Sequence, residues 1–394
     1  MSAFAGIKVL DLSRVLAGPY SGQLLADMGA DVIKIEEPSG DELRQWFPRA
    51  ENGSTNFMAV NRGKRALVLD LKKEEGRALL MRLVKEADVL IHSFLTPVAE
   101  RLGVTYDAVK AANPDLIYCS ISGYGATGEM KDRPGYDLMM QAFTGVMMLT
   151  GEPNGPPMRA GLSTIDLSTG FLAFGAISAA LFARATGKAR GQRIDLSLMH
   201  TGIALLGYHV TNYMNAGHVA ARAGSGVGHI VPYQAWKCSD GWVLAGATND
   251  KFWARFATAL GLEHLIDDTR FQTTVDRRNN REELIPLLEA RFATDTVEQW
   301  VTVMESAQVP VSPVHTIDQV VTHPQVLANG MIAAVPDRHG EPMHVIGLPV
   351  LFSETPGRVT GRPPELGEHS DVVLRDWLGL SPAEVELLRD VGAI

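Results

Sequence analysis

The sequence predicts an α/β protein with a large Rossmann-like domain, built on a parallel sheet, and a smaller α+β domain. In the first half of the chain, short apolar runs alternate with amphipathic helical patterns, as in a parallel sheet covered by helices. From residue 217 onward, a loop rich in Gly and Ala leads into a hairpin pattern and then into several helical patterns. This change of pattern predicts the second domain.

The elements of the large domain follow from apolar runs and helix punctuation. Pro19 and Gly29 mark the two ends of a helix between the first two strands, and a helical repeat of Leu and Val predicts a helix over 73–87. Two long apolar segments, 167–185 and 196–213, predict core helices. The predicted strands are Ile7 to Leu12, Asp31 to Glu36, Ala66 to Leu71, Val89 to His92 and Leu116 to Ser122.

The small domain begins with two short strand patterns, 233–236 and 242–245, on either side of the turn Ser239-Asp240-Gly241. Three helical patterns follow, over 251–260, 281–292 and 297–306. The expected organisation is a large domain over 1–200 and 330–394, a small domain over 225–325, and linkers over 201–224 and 326–329.

Composition narrows the function classes. A formal net charge of -9 argues against a dedicated nucleic-acid binder, because affinity for polyanions comes from clustered Lys and Arg. Two cysteines, Cys119 and Cys238, give neither a disulfide framework nor zinc-ligand spacing. The first residues lack the pattern of a signal peptide, and the apolar segment 167–183 is so rich in Gly and Ala that a buried helix is favoured over a membrane span. We therefore expect a cytoplasmic protein without a nucleic-acid or membrane partner.

Several familiar motifs fail in their context. Gly123 to Gly128 reads G-x-G-x-x-G after a strand, but Pro134 and Gly135 would end any helix that began there, so dinucleotide binding is not favoured. His200 and His209 have no carboxylate cluster nearby, so no metal site is expected. The serine-hydrolase elbow and the P-loop are missing from the sequence.

Asp166 precedes the long apolar segment and allows two interpretations. An Asp at this position is by default an N-cap of the following helix. The amides and the dipole of that helix would also keep a partly buried carboxylate ionised, and such a carboxylate can attack an activated carbonyl. The residue pattern alone leaves both interpretations open.

Blocks spread along the whole chain resemble class III CoA-transferases, the family of formyl-CoA transferase and carnitine CoA-transferase. The similar blocks, in order, are Gly6 to Pro19, Leu25 to Glu36, Asn61 to Arg65, Leu69 to Lys72, Arg133 to Asp137, Asp166 with its helix, Thr186 to Gln192 and Leu366 to Ser370. The resemblance implies that Asp166 is the nucleophile. It would open the acyl-CoA thioester to a mixed anhydride and then carry CoA as an aspartyl thioester. No permanently bound cofactor is implied; coenzyme A enters as part of the substrate.

The resemblance also implies contacts with CoA. Lys72 and Arg101 would meet phosphates, Phe94 would stack near the adenine, and Tyr136 would lie beside the thioester. Glu37 stands where formyl-CoA transferase has an arginine, so Arg14 or Arg133 would replace that phosphate contact. The remaining implied CoA contacts are Leu16, Ala17 and Leu69.

The blocks around residues 154–159 and 229–236 resemble the branch that uses succinyl-CoA or glutaryl-CoA with dicarboxylic acids. A short dicarboxylate would then pair its distal carboxylate with Arg159, Arg222 or His229. A mobile glycine-rich lid would exclude water from the anhydride. The residues expected in this substrate and lid region are Gly224, Gly226, Gly228 and His229.

The family resemblance further implies an interlocked homodimer. Two alternatives to a transferase remain. An α-methylacyl-CoA racemase is disfavoured because Tyr136 and Asn249 stand where related racemases have His and Glu, and neither replacement titrates near neutral pH. A catalytically silent CoA-binding protein is disfavoured because Asp166 and the Gly-rich loop are both present.

Overall fold

The computed structural model describes residues 2–51 and 53–394. Thirteen strands are found among them. In chain order they are β1 Lys8–Leu12, β2 Asp31–Glu36, β3 Arg49–Ala50, β4 Gly53–Ser54, β5 Arg65–Val68, β6 Val89–His92, β7 Ile117–Ser122, β8 Gln192–Ser197, β9 Tyr233–Lys237, β10 Trp242–Gly246, β11 Val311–Pro313, β12 Ile332–Pro336 and β13 Pro342–Ile346.

The described residues also form eighteen α-helices and two short 3-10 helices, Glu42–Gln45 and Glu263–Leu265. In chain order the α-helices are α1 Ala17–Asp27, α2 Thr55–Asn61, α3 Glu74–Glu86, α4 Thr96–Leu102, α5 Tyr106–Ala112, α6 Asp137–Phe143, α7 Val146–Leu149, α8 Thr164–Ala185, α9 Leu198–Leu206, α10 Tyr208–Ala216, α11 Asp250–Ala259, α12 Thr274–Asn279, α13 Arg281–Phe292, α14 Val297–Ser306, α15 Ile317–Thr322, α16 Pro324–Ala328, α17 Ser370–Leu378 and α18 Pro382–Asp390.

The central sheet has six parallel strands in the order β5-β2-β1-β6-β7-β8. This is the order of a doubly wound sheet, so the predicted α/β class and parallel sheet are confirmed. The five predicted strands are all present. The sixth, β8, was missed, because its sequence QRIDLS alternates Arg and Asp with apolar residues and merges into the apolar segment that follows it.

Two hydrophobic cores cover the two faces of this sheet. Alternate residues of β1 serve opposite faces: Leu10 packs in the core with α3 and α17, whereas Val9 packs in the core with α1 and α8. Strands β2, β5, β6 and β7 of the same sheet also carry fully or nearly fully buried apolar residues. The helical repeat that predicted α3 is the face that it buries, namely Leu79, Leu80, Leu83 and Val84.

The chain divides into two compact units. The first runs from the first described residue to Thr144 and adds Gly161–Gly207 and Pro324–Ile394; the second contains Gly145–Ala160 and Tyr208–His323. The second unit holds the antiparallel sheet β11-β10-β9 and a core around stacked Trp236 and Phe292, whose ring centroids lie 5.0 Å apart. The predicted hairpin is confirmed as β9 and β10.

The prediction of a single core helix over 196–213 is wrong in detail. Its first residues belong to β8, and the remainder forms α9 and α10, which are separate helices interrupted at Gly207 with φ +51°. Glycine tolerates this backbone conformation because it has no Cβ.

Helix α8 packs closely against α1 along the first unit. A Cβ built on Gly170 would lie 2.9 Å from the carbonyl oxygen of Ala17, so only glycine allows this approach. By length and composition α8 is the one helix among the described residues that is apolar enough to cross a membrane, and 44% of its most apolar window is buried in the structure. The packing against α1 is that of a core helix.

Candidate active site

A cleft of the first unit lies at the carboxyl edge of the parallel sheet, where doubly wound folds bind their ligands. Its volume is about 550 Å³. The chain segments that follow β1, β2, β5 and β6 form its walls, and residues at the end of β7 and the start of α9 complete it. A cleft of this size accommodates a substantial part of a nucleotide thioester.

Most of the residues expected at the site from sequence line this cleft. Arg133 is not among the lining residues, although Pro134 and Gly135 beside it are. The four residues expected in the lid region belong to the second unit. The expected residues that line the cleft are Asp166, Arg14, Leu16, Ala17, Leu69, Lys72, Phe94, Arg101 and Tyr136.

Asp166 lies in the first turn of α8 and is 8% exposed. It is not the N-cap: the helix begins at Thr164, and the carboxylate that receives the first amides is that of Asp137 in α6. Oδ2 of Asp137 accepts the N–H of Ile165 at 2.8 Å and that of Asp166 at 3.0 Å. The side chain of Asp166 accepts no hydrogen bond from any residue of the described ranges and is directed at the cleft as a free acceptor.

Burial and, to a smaller extent, the negative charge of Asp137 together raise the pKa of Asp166 to about 7. The sequence predicted the opposite balance, in which amides and helix dipole keep this carboxylate ionised. The difference arises because burial disfavours the charged form most strongly, and the nearby Asp137 carboxylate adds the repulsion of a like charge. A carboxylate with a pKa near 7 is more basic than an ordinary Asp and is poorly hydrated, and both properties suit a nucleophile.

Two glycines make the wall beside Asp166 out of bare backbone. A Cβ on Gly123 would lie 2.8 Å from Cα of Gly135, and a Cβ on Gly135 would lie 2.7 Å from Cα of Gly123. Both glycines line the cleft. The close crossing brings the segment that ends in Tyr136 against the end of β7. Glycine is therefore required at position 123 by this close backbone crossing, which is unrelated to dinucleotide binding. In addition, no helix begins between β7 and Asp137.

The cleft rim carries a cluster of charges. Glu37 pairs with Arg14 on one side and with Nζ of Lys72 on the other, at 3.5 Å. Arg101, at the end of α4, has no ion pair within the described parts of the chain. An anionic ligand could therefore pair directly with Arg101, whereas it would compete with Glu37 for Arg14 and Lys72.

Phe94 is positioned by His92, a role that the sequence pattern does not indicate. Nδ1 of His92 accepts the N–H of Phe94 at 3.1 Å, and the two rings stack with centroids 5.5 Å apart. Burial lowers the pKa of His92 to about 3, so the ring is neutral and serves as a packing surface. Phe94 in turn lines the cleft.

In the second unit, the loop 224–228 is hydrogen-bonded to its surroundings. The N–H of Gly224 donates to the carbonyl of Gly151 at 3.0 Å, and the N–H of Val227 donates to the carbonyl of Tyr233 at 3.3 Å. Arg222 donates to the carbonyls of Glu152 and Gly155, so its guanidinium orders this region. Arg159 and His229 have no ion pair with any residue that the structure describes.

Asp137 is the site residue that sequence reasoning missed. It stood within the block Arg133 to Asp137 that supported the family resemblance, but nothing in its local sequence indicates that it caps a helix 27 residues later. Among the described residues no group of three or more His, Cys, Asp or Glu side chains is arranged to hold a metal ion.

The site consists of a nucleotide-sized cleft and a buried carboxylate at the carboxyl edge of a doubly wound sheet. Comparison of the chain with known protein families identifies the class of enzyme to which it belongs. Residues 4–370 match the model of CoA-transferase family III, and the chain belongs to that family. It is an enzyme of the CoA-transferase class.

Among its relatives, the succinyl-CoA:glutarate CoA-transferase of Mus musculus is 37% identical over 100% of this chain and 91% of that protein. The succinate–glutarate CoA-transferase of Agrobacterium fabrum is 38% identical over 94% of this chain and 95% of that protein. Among solved structures, a CAIB/BAIF family protein from Brucella suis is 38% identical, covers 95% of this chain and 99% of its own, and superposes with a TM-score of 0.87.

Proposed function

We propose that this enzyme moves CoA from succinyl-CoA or a similar acyl-CoA to a short dicarboxylic acid, with Asp166 as the nucleophile. The observation that carries the proposal is the buried Asp166 carboxylate, which is free of hydrogen-bond donors and lines the main cleft. The relatives named for succinyl-CoA and glutarate support the choice of substrates.

The proposed reaction has four steps. A carboxylate oxygen of Asp166 attacks the thioester carbon, the C–S bond breaks, and CoA leaves as the thiolate from a mixed anhydride. The thiolate then attacks the aspartyl carbonyl and releases the donor acid, which leaves an aspartyl-CoA thioester. The acceptor carboxylate attacks that thioester, the C–S bond breaks, and the thiolate leaves a second mixed anhydride. The thiolate finally attacks the acceptor's carbonyl carbon, which forms the new acyl-CoA and frees the Asp166 carboxylate.

The cleft suits these steps in two respects. At Gly123 and Gly135 the cleft wall presents backbone and no side chain to a ligand. The cations Arg14, Lys72 and Arg101 can hold the CoA phosphates, with Phe94 offering a flat face to the adenine. We assign the remaining contacts to Leu16, Ala17, Leu69 and Tyr136, and we place Arg133 next to the site through Pro134.

Trapping tests the covalent steps. The enzyme is incubated with succinyl-CoA in the absence of an acceptor and treated with hydroxylamine, which converts an acylated aspartate into a hydroxamate. Peptide mass spectrometry should find the modification at Asp166. The Asp166→Asn protein should remain unmodified, and Asp390→Asn, which changes an exposed carboxylate of α18, should label like the parent. Modification elsewhere, or none in an enzyme that turns over, refutes the nucleophile.

The substrate proposal is tested by exchange assays. Succinate and glutarate should be preferred over monocarboxylic acids of equal length, because a distal carboxylate pairs with Arg159 or accepts a hydrogen bond from His229. Arg159→Met should raise the KM for glutarate while the KM for the CoA thioester stays constant. A preference for monocarboxylic acids would contradict the proposal.

Asn249 further disfavours a racemase. Its side chain caps α11 by accepting the N–H of Phe252 at 3.1 Å, which is a structural use of the amide. Incorporation of deuterium at the α-carbon of a branched acyl-CoA in D₂O, without CoA exchange, would favour the racemase instead.

We also propose that the protein is an interlocked, cytoplasmic homodimer. Each chain has a large domain over 1–200 and 330–394 and a small domain over 225–325. The loop of the small domain that contains Gly224, Gly226, Gly228 and His229 serves as the lid. Large apolar side chains on α8 and α10 are exposed in the single chain, and a second copy would cover them. They are Phe171, Leu172, Phe182, Tyr213 and Met214. Sedimentation analysis that found an active monomer would contradict the dimer.

A further inference from the structure

One turn of the cleft wall has a backbone conformation that its residue disfavours. Val15 has φ +65°, and Gln308 is the only other non-glycine residue of the described ranges with a positive φ. A β-branched side chain is particularly unfavourable there. Val15 lies between Arg14 and Leu16, and all three line the cleft. Such a conformation persists only where surrounding groups enforce it.

Side chains from three other parts of the chain bind the backbone of Val15 and of the two residues before it. Its N–H donates to the carboxylate of Asp41, 3.3 Å from Oδ2 and 3.4 Å from Oδ1. The N–H of Arg14 donates to Oγ of Ser93 at 3.0 Å, and the carbonyl of Ser13 accepts Nζ of Lys34 at 2.9 Å. Three consecutive residues are thus each held by a side chain from a different part of the chain.

Asp41 cannot readily move from this position. Its carboxylate lies 3.0 Å from Nζ of Lys34, and the two side chains are 1% and 0% exposed. It also accepts the N–H of Leu43 at 3.0 Å. Burial alone would lower the pKa of Lys34, but the surrounding carboxylates of Asp11, Asp41 and Glu36 hold it above its usual value, so the ammonium stays charged. A buried pair of this kind is costly to break.

We propose that Asp41, fixed by Lys34, is a positioning residue that holds the Arg14-Val15-Leu16 turn in the conformation that binds the CoA thioester. The inference rests on the proposed use of this cleft for CoA. Without the anchor, the left-handed conformation of Val15 is depopulated by about ten- to a hundredfold. Ligand affinity falls in proportion to the lost population of the competent state.

The decisive experiment is a double-mutant cycle on residues 15 and 41, measured as the Kd for CoA by calorimetry. Asp41→Asn should raise the Kd by about tenfold in the parental background. In the Val15→Gly background the same substitution should raise it less than about threefold, because glycine adopts positive φ without help. The general cost of leaving Lys34 unpaired is common to both backgrounds and cancels.

The matched control is Asp27→Asn, which breaks the equally buried pair of Asp27 with Arg62, 2.6 Å apart, away from the residues that line the cleft. It should lower Tm but leave the Kd for CoA within about twofold of the parent. Equal effects of Asp41→Asn in the Val15 and Val15→Gly backgrounds, or a control that weakens CoA binding as strongly, would overturn the inference.

If Asp41→Asn does not fold, the same cycle is run with Ser93→Ala, which leaves every buried charge in place. Its effect on the Kd should again shrink in the Val15→Gly background, and equal effects would overturn the inference. Because CoA binding is measured without turnover, this outcome is independent of whether hydroxylamine labels Asp166. A failure to label Asp166 would count against the proposed nucleophile alone, and absence of CoA binding by the parent would refute the shared premise.

Discussion

Asp137 accepts the backbone N–H of Asp166 at 3.0 Å while its negative charge opposes ionisation of the Asp166 side chain. The same carboxylate therefore caps α8 and keeps the proposed nucleophile basic. A neutral cap would remove this like charge, and burial alone would then raise the pKa of Asp166. This relationship has direct consequences for the pH dependence of the reaction and for stability.

The rate of CoA exchange should rise with pH through about 7 and then level off. Only the ionised form of Asp166 can attack the thioester, and burial together with Asp137 raises the pKa of Asp166 to about 7. Measurement of kcat/KM between pH 5 and 9 reports this group in the free enzyme. An acid limb near pH 4 would show that Asp166 is as acidic as an exposed Asp.

Asp137→Asn should move that acid limb to lower pH by about one unit, because the amide oxygen can still accept both N–H groups while the negative charge is gone. A purely structural role of Asp137 would lower the plateau rate without moving the limb. The comparison also assigns the limb to Asp166, since no ionisation of the substrate depends on residue 137.

Asp166→Asn should stabilise the folded enzyme above pH 7. The folded-state pKa, about 7, lies above the ordinary value of 3.8, so the stability linked to this proton is complete below about pH 4 and is lost as pH rises through 7. At pH 8 the parent buries a charge that the variant lacks, a difference of the order of 2–4 kcal/mol. Thermal unfolding at pH 4.5 and pH 8 should show a gain in Tm at the higher pH and little at the lower. An equal gain at both would contradict this explanation.

The sequence predicted much of the fold because buried strands and amphipathic helices leave local patterns. The repeat of Leu79, Leu80, Leu83 and Val84 fixed α3, and the turn at Asp240 fixed the hairpin. Strand β8 escaped because it alternates Arg193 and Asp195 with apolar residues, and its partner β7 lies 75 residues away. Pairing between distant segments leaves no local signal.

The candidate site was predictable only through family resemblance, and its energetics were not predictable at all. Asp166 was identified, but the pKa of its carboxyl is raised by burial in the folded chain and by Asp137, which approaches from another helix. In the same way, nothing near Val15 in the sequence indicates a positive φ, because the groups that enforce it are Asp41, Lys34 and Ser93. Such relationships exist only after the chain has folded.

Substitution by alanine should have different effects on kcat at two glycines of α8. Gly170→Ala places a Cβ 2.9 Å from the Ala17 carbonyl and 2.9 Å from Cδ1 of Tyr20, so α1 and α8 must separate. We expect a loss of about 1–3 kcal/mol in stability and a lower kcat, because Asp166 lies one turn earlier on the same helix. A lower Tm with an unchanged kcat would show that the packing of α8 against α1 does not affect the position of Asp166.

Gly175→Ala is the matched control in the same helix. A Cβ there meets nothing within 4 Å, and its φ is not positive. Gly175 lies on the face of α8 that carries Phe171, Leu172 and Phe182, which the proposed second copy would cover, so the comparison with Gly170 is made on kcat. The kcat should be unchanged, because the added Cβ does not reach α1. An altered kcat would show that substitution anywhere in α8 disturbs Asp166.

Glu37→Gln should tighten the binding of acyl-CoA. Glu37 neutralises Arg14 and Lys72 at the rim, and the phosphates of CoA must compete with it for both cations. Because these side chains are exposed, the expected fall in KM is only about two- to fivefold, and added salt should reduce it. Glu282→Gln, an exposed change of equal charge in α13, should leave the KM unchanged. A higher KM in Glu37→Gln would instead mean that Glu37 holds the two cations where the phosphates need them.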